Sequence, residues 1–277
     1  MEKLQKYCLS LLLVLVHFAC KEKEPKQTVE QIAAQAEKVY KKAIEYPQGS
    51  PECMNLIEEA IRIDSTYAEA IRELSIAYLK RGIPHKWKPI IDRAVHYNPR
   101  TWQPVRGTAY LKVYRDYEKA IADFNATDTI TPNFIDYTGG HSVDYWRAIA
   151  YLGLKDYKNC IYYFDKHIKK ETEETGEDWV EINAFLYRGI AYFESGNTTK
   201  ALENFEKIIY HFKNSADAEY YIALILNQKK AYKKAKSHIQ KAKLDFKKGF
   251  YNNGVYVEPL RQIYWEDLEE LSKIIGN

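Results

Sequence analysis

The 277-residue chain carries little net charge. Its 41 Lys and Arg stand against 38 Asp and Glu, a formal +3, so it lacks the basic footprint expected of a nucleic-acid binder. Glycine and proline are scarce, at 12 and 9, and with abundant Lys, Glu, Ala and Leu this points to helix. Patterns that carry chemistry are missing as well. The six histidines beyond residue 20, His85, His96, His141, His167, His211 and His238, never form a His-Glu-x-x-His set, so no metal site is expected. There is no Gly-x-Ser-x-Gly elbow and no glycine-rich phosphate loop after a strand, since no strands are predicted. The reading is therefore a protein that is not an enzyme and has no cofactor. What is present is enough for a sizeable core: 46% hydrophobic residues and 24 Tyr, which excludes wholesale disorder.

The N-terminus reads as a targeting segment. Lys3 and Lys6 precede an apolar run over residues 8–19. That run is too short for a bilayer-spanning helix of about 20 residues, but it has the length of a secretory signal. Its end, Val16-His17-Phe18-Ala19-Cys20, resembles a bacterial lipoprotein signal, although His17 and Phe18 depart from the usual residues. The resemblance implies a signal peptide over residues 1–19 and acylation of Cys20, with a plain signal peptide as the alternative. Several acyl chains anchor durably where one binds only marginally. Residues 20–27, charged and containing Pro25, form a solvated tether. Without Glu2, Lys3 and Lys6, 39 basic and 37 acidic side chains remain.

Beyond the tether the sequence repeats. Apolar or small residues at offsets of four and seven recur as Cys53/Ile57/Ala60, Trp87/Ile91/Ala94, Ala120/Phe124/Thr127, Cys160/Phe164/His167, Ala201/Phe205/Ile208 and Ala235/Ile239/Ala242. Each set lies on one face of a helix. The intervals are 34, 33, 40, 41 and 34 residues, so two insertions are implied, near residues 133–141 and 171–178. A second helical pattern precedes each set, clearest in Arg106-Gly107-Thr108-Ala109-Tyr110, Arg147-Ala148-Ile149-Ala150-Tyr151 and Arg188-Gly189-Ile190-Ala191-Tyr192. Turn signals follow at Arg81-Gly82, Arg115-Asp116, Lys155-Asp156 and Gly196-Asn197. Pro99 and Pro132 mark ends of second helices.

In these residues the chain resembles the tetratricopeptide repeat, with Trp87, two cysteines and one extra residue at Val113–Tyr114 as departures. The resemblance implies an all-α, right-handed α-solenoid of about six helical hairpins over residues 28–248. Residues 249–277 complete it as a loop, with the turn signal Asn253-Gly254, plus a capping helix expected over residues 260–275. The first helix of each pair would line a concave groove with Arg72, Lys80, Lys112, Tyr145, Phe193 and Tyr220 as the partner-binding side chains. The asparagine clamp of chaperone-binding members is absent, because Ile76, Thr108, Ile149, Ile190 and Leu224 stand at its positions. Cys53 and Cys160 sit three repeats apart, roughly 30 Å, too far for one disulfide. The nine lysines from Lys229 to Lys248 read as a docking patch or as a soluble terminal face.

The expected function is a non-catalytic protein-interaction scaffold of the Gram-negative cell envelope, binding a peptide or protein segment in the groove. In the lipoproteins that the chain resembles, Lys21 rather than Asp after the anchor cysteine implies the outer membrane, facing periplasm or surface. The alternative is a glycan- or small-ligand-binding lipoprotein of an uptake system, which requires Trp102, Tyr145, Trp146, Trp179 and Tyr220 to be exposed and clustered.

Overall fold

The computed structural model describes residues 27–276. The signal peptide, Cys20 and nearly all of the tether lie outside the described residues. The chain divides into two compact units, one ending at Ala70 and one beginning at Ile71.

In the first unit, α1 (Val29–Ala43) starts at a reciprocal capping box: Gln31 N–H donates to Thr28 Oγ1 and Thr28 N–H to Gln31 Oε1, which satisfies two orphan donors. Ser50 caps α2 (Pro51–Ile63), whose first residue is a proline that has no N–H to leave unpaired. The two helices pack as a hairpin that buries Ala36, Ala43, Cys53, Ile57 and Ala60.

The second unit takes in nearly all of α3 (Ala68–Lys80), followed by α4 (Pro84–Tyr97), α5 (Pro99–Ala109), α6 (Tyr117–Ile130), α7 (Val143–Gly153), α8 (Tyr157–Thr175), α9 (Ile182–Glu194), α10 (Thr198–Phe212), α11 (Ala216–Gln228), α12 (Tyr232–Lys247) and α13 (Trp265–Gly276). Helices α5/α6, α7/α8, α9/α10 and α11/α12 pack in pairs, and each pair packs on the next. All eighteen residues of the repeating sets are buried, including Trp87, Thr127 and His167, each 2% exposed. The fold is all-α, of the tetratricopeptide-type helical solenoid class.

The turns explain the repeat. First helices end with a left-handed residue at Gly82, Arg115, Lys155, Gly196 and Lys230, at intervals of 33, 40, 41 and 34 residues. After each, the amide of the next residue reaches back into the finished helix, as in Asp156 N–H to Tyr151 O (2.9 Å) and Asn197 N–H to Tyr192 O (2.8 Å). This satisfies terminal carbonyls. Asp116, Asp156 and Asn197 then cap the second helices.

Arg106, Arg147 and Arg188 join neighbouring hairpins. Arg106 bonds Asp92 on α4 (2.7 Å) and Asp123 on α6 (2.6 and 2.9 Å). Arg147, 1% exposed, donates to Phe124 O (2.6 Å) and pairs with Asp128 (3.0 Å) and Asp144 (3.3 Å). Arg188 bonds Asp165 (2.7 Å) and Asn204 (2.9 Å).

Four expectations change. The extra residue at Val113–Tyr114 is absorbed as a π-helical turn over Tyr110–Tyr114. The first insertion, expected strandless, closes into a two-residue antiparallel ladder, Tyr137–Thr138 with His141–Ser142, across Gly139 and Gly140 at positive φ. The second is not a free loop: α8 runs on to Thr175, supported by the i,i+4 pairs Lys169–Glu173 and Lys170–Glu174, and a 3-10 turn follows at Glu177–Trp179. The C-terminal helix starts at Trp265 rather than Leu260, because Arg261 takes φ +60° and Asp267 accepts the Tyr264 N–H at 2.7 Å. Leu268, Leu271 and Ile275 then bury against Ala235, Ile239 and Ala242 of α12.

Candidate functional site

First helices present to one face the residues that their Arg-Gly/Ala-x-Ala-Tyr core leaves over. On that face lies the segment 249–264, which has no regular structure. Phe250 O accepts from Ala216 N–H (2.8 Å). Asn252 donates its backbone N–H to Asp217 Oδ2 (2.8 Å) and its side-chain amide to Tyr187 Oη (2.9 Å). Arg115 donates to Glu258 O. Arg261 forms a two-pronged pair with Glu194, at 2.6 and 2.9 Å, the geometry in which charge-assisted bonds are strongest. At the middle of the loop Val255 and Tyr256 turn outward, 88% and 83% exposed, while nearer its ends Tyr251 stacks on Phe246 at 4.1 Å and Ile263 is buried in the core. Gly254 makes its bend, since a Cβ there would meet Val257 O at 1.9 Å.

The loop covers a cavity of about 240 Å³ between itself, the π-turn, α7 and α9, lined by Lys112, Arg115, His141, Tyr145, Trp146 and Tyr187 among others. On its other side, around Asn183, Asp217 and Asn252, lies a second cavity of about 440 Å³. The π-turn supplies Lys112, whose ammonium sits 5.1 Å from the Trp146 ring centroid. Loss of water lowers its pKa. Desolvation likewise lowers that of His141, which stacks on Tyr145 at 4.3 Å. Burial raises the Asp217 carboxyl to about 7 against two backbone hydrogen bonds that favour its charged form. Tyr187 is pushed up to about 12, again by burial.

The six residues expected in the groove divide. Lys112 and Tyr145 line the same cavity, but Tyr145 is 3% exposed and packs edge-on against Phe164 and His167. Lys80 lies over the Tyr256 ring of the loop, at 5.1 Å. Phe193 and Tyr220, both half-buried, sit edge-on to Tyr221. Arg72 stands apart from the loop, stacked over Trp102 at 5.2 Å and paired with Glu73 at 2.9 Å. Sequence reasoning missed Arg115 and Tyr187; the repeat register carries Glu194 and Asp217 to this face, but nothing in the sequence ties them to the loop.

Two other constellations carry less. Ser142 Oγ lies 3.0 Å from His167 Nδ1, and His167 Nε2 lies 3.6 Å from Glu171, a hydrolase-like order. Ser142 is 1% exposed and its oxygen accepts the Tyr145 N–H that starts α7. His167 is neutral, with burial lowering its pKa to about 4. The trio is a structural cap. Part of the lysine face is also structural: Lys241 pairs with Glu219 (2.5 Å), Lys243 with Glu269 (2.5 Å), and Lys243 and Lys247 lie over Trp265.

The two insertions meet. Tyr137 from the first, Glu171, Glu174 and Thr175 from the second, and Trp179 just after it line an open cleft of about 560 Å³. Of the five aromatics an exposed platform requires, only Trp179, at 78%, stands open; Tyr145 and Trp146 are buried and the other two half-buried. Cys53 and Cys160 are buried free thiols. No described helix is long and apolar enough to cross a membrane, and no described cluster of His, Cys, Asp and Glu is arranged to hold a metal.

No protein-family model matches the sequence, and no curated protein is significantly similar to it. Solved structures do match. PilW, described as a widely conserved type IV pilus biogenesis factor, aligns with a TM-score of 0.63 at 14% identity, over 86% of this chain and 98% of its own. PilF of Pseudomonas aeruginosa aligns at 0.58 and 13%, over 78% and 97%. YrrB, described as a TPR protein with an unusual peptide-binding site, aligns at 0.51 and 17%, over 68% and 91%. At such identities the likeness shows the fold.

Proposed function

We propose that this protein is a non-catalytic scaffold of the Gram-negative cell envelope, anchored by lipid on Cys20, that binds a peptide or protein segment on the face of its first helices. One observation supports the reading: that face already holds a stretch of irregular polypeptide, residues 249–264, through Arg115 after the π-turn and side chains from α9 and α11. Surfaces that bind extended chains use such backbone and amide contacts for affinity and neighbouring pockets for selection, and here a cavity lies on either side of the loop. The peptide-binding site named for YrrB agrees in kind. Lys21 after the anchor cysteine favours the outer membrane, facing periplasm or surface.

The test is affinity capture from native envelopes with the acylated protein and with Cys20→Ser. The reading expects one membrane-associated protein partner, depleted in the unanchored form and weakened by Lys80→Ala with Lys112→Ala. Capture unaffected by both groove changes would remove the groove assignment.

The insertion cleft supports a second reading, a glycan or small-ligand site, because exposed Trp179 and Tyr137 flank Glu171 and Glu174. Quenching of Trp fluorescence by an oligosaccharide panel, abolished by Trp179→Ala, would favour it; no response across the panel would dismiss it.

A further inference from the structure

The middle stretch of the loop on the first-helix face, between Tyr251 and Ile263, docks in the opposite sense to a core-sealing segment. A segment that closes a core turns apolar side chains inward. This one exposes Val255 and Tyr256 and attaches through polar groups at Ala216, Tyr187, Asp217, Arg115 and Glu194. When the loop leaves, such bonds are exchanged for bonds to water, so each holds it by only part of its intrinsic strength. Both ends are anchored in the core that α11, α12 and α13 share, Tyr251 against Phe246 at one and buried Ile263 at the other, so the stretch between them can leave without opening that core. The loop is therefore attached like a ligand: its departure uncovers a prepared set of hydrogen-bonding groups and leaves the flanking helices packed.

We propose that residues 250–261 are a resident mimic of the partner, and that the partner segment binds by displacing them and taking over the same groups. This rests on the peptide-binding reading above and adds the chemistry of the partner. The segment carries a guanidinium for the Glu194 carboxylate, a primary amide donating to Tyr187 Oη, a main-chain N–H for Asp217 and a carbonyl for Arg115. It is a basic, asparagine- or glutamine-containing stretch, docked by polar contacts. An acidic or wholly apolar peptide would leave Glu194 and Asp217 without partners at a desolvated surface, which costs more than the contacts return.

The loop's own sequence provides the probe. A synthetic, fluorescein-labelled peptide of residues 249–262 is titrated by fluorescence anisotropy into the wild-type protein and into a chain whose residues 251–261 are replaced by Gly and Ser at equal length. The proposal expects at least tenfold tighter binding to the replaced chain. That gain should be lost when Glu194→Gln and Tyr187→Phe are added. Equal affinity for both chains, or no binding to a replaced chain with wild-type helicity and Tm, overturns it. Should the replaced chain not fold, full-length Asn252→Ala/Arg261→Ala is read by hydrogen exchange. Loop amides should then exchange at least tenfold faster while α11 to α13 stay protected; unchanged loop protection overturns the proposal. A partner captured equally well by wild type and replaced chain sinks the displacement and leaves the scaffold standing. A partner captured by neither sinks the scaffold.

Discussion

Asp217→Asn is the perturbation whose size follows most directly from the structure. Asp217 is 2% exposed and accepts the loop's Asn252 N–H at 2.8 Å. Burial lifts its pKa from 3.8 to about 7. Because the folded-state value is the higher one, the folded protein holds a proton that the unfolded chain has released between about pH 4 and 7. Stability therefore falls as pH rises through that window, and the full cost of the buried carboxylate is present above pH 7. Three units at about 1.4 kcal/mol each set an upper bound on the order of 4 kcal/mol. Asparagine keeps an oxygen to accept the Asn252 N–H and removes the charge. The variant should match wild type near pH 4 and exceed it at pH 8, by about 1–3 kcal/mol once its new N–H groups are hydrated. A second group makes the comparison sharper. His167, lowered from 6.5 to about 4 by burial, stays neutral while the unfolded chain is protonated, so its contribution is present above pH 6.5 and lost as pH falls towards 4. In wild type the two slopes oppose each other between pH 4 and 6.5. In Asp217→Asn the opposing slope is gone while those of His167 and His141, both lowered by burial, remain, and stability should rise more steeply with pH than in wild type. Urea melts at half-unit steps from pH 4 to 8 measure this. A variant that is less stable than wild type at every pH, with an unchanged slope, would refute the reasoning, for it would mean the carboxylate is ionised and favourably held.

Three further outcomes are expected. Gly189→Ala should destabilise by about 1–2 kcal/mol in thermal melts despite the gain in helix propensity, because the added Cβ would lie 2.6 Å from Cε1 of the fully buried Phe205; Phe205→Leu should restore much of the loss. Lys155→Gly should stabilise by about 0.5 kcal/mol, since Lys155 holds φ +59° at a turn position that Gly82 and Gly196 fill in other repeats. Arg147→Ala should cost on the order of 3 kcal/mol by removing the donor to Phe124 O and one of the two cations, with Lys166, that hold buried Asp144, with lowered urea midpoints as the readout.

What the sequence made legible was whatever repeats. Offsets of four and seven placed all six second helices, and the turn signals at Arg115, Lys155 and Gly196 fell on left-handed residues. Features that occur once were harder. The 171–178 insertion shows in the sequence only as a lengthened repeat interval, yet the i,i+4 pairs at its start prolong α8. Leu260 and Ile263 have helical spacing, but Arg261 turns the chain there. Lys112 was legible as a face residue because the repeat register points it there. The same register carries Glu194 and Asp217 to that face, but their tie to Arg261 and Asn252 spans 67 and 35 residues. No local pattern reports such a contact. The burial of Tyr145 was also invisible, since it depends on Phe164 and His167 of the next helix.

The most direct test of the central claim, that the first-helix face receives a partner segment, is site-specific photocrosslinking in cells that make the protein natively. A photoreactive residue is placed at Lys112, on the loop-covered cavity, and in a control chain at Tyr210, 80% exposed on α10. The account predicts one discrete protein adduct from position 112, strengthened when residues 251–261 are replaced by Gly and Ser, and none from position 210. Adducts only from position 210, or an adduct at 112 that disappears when the loop is removed, would contradict it.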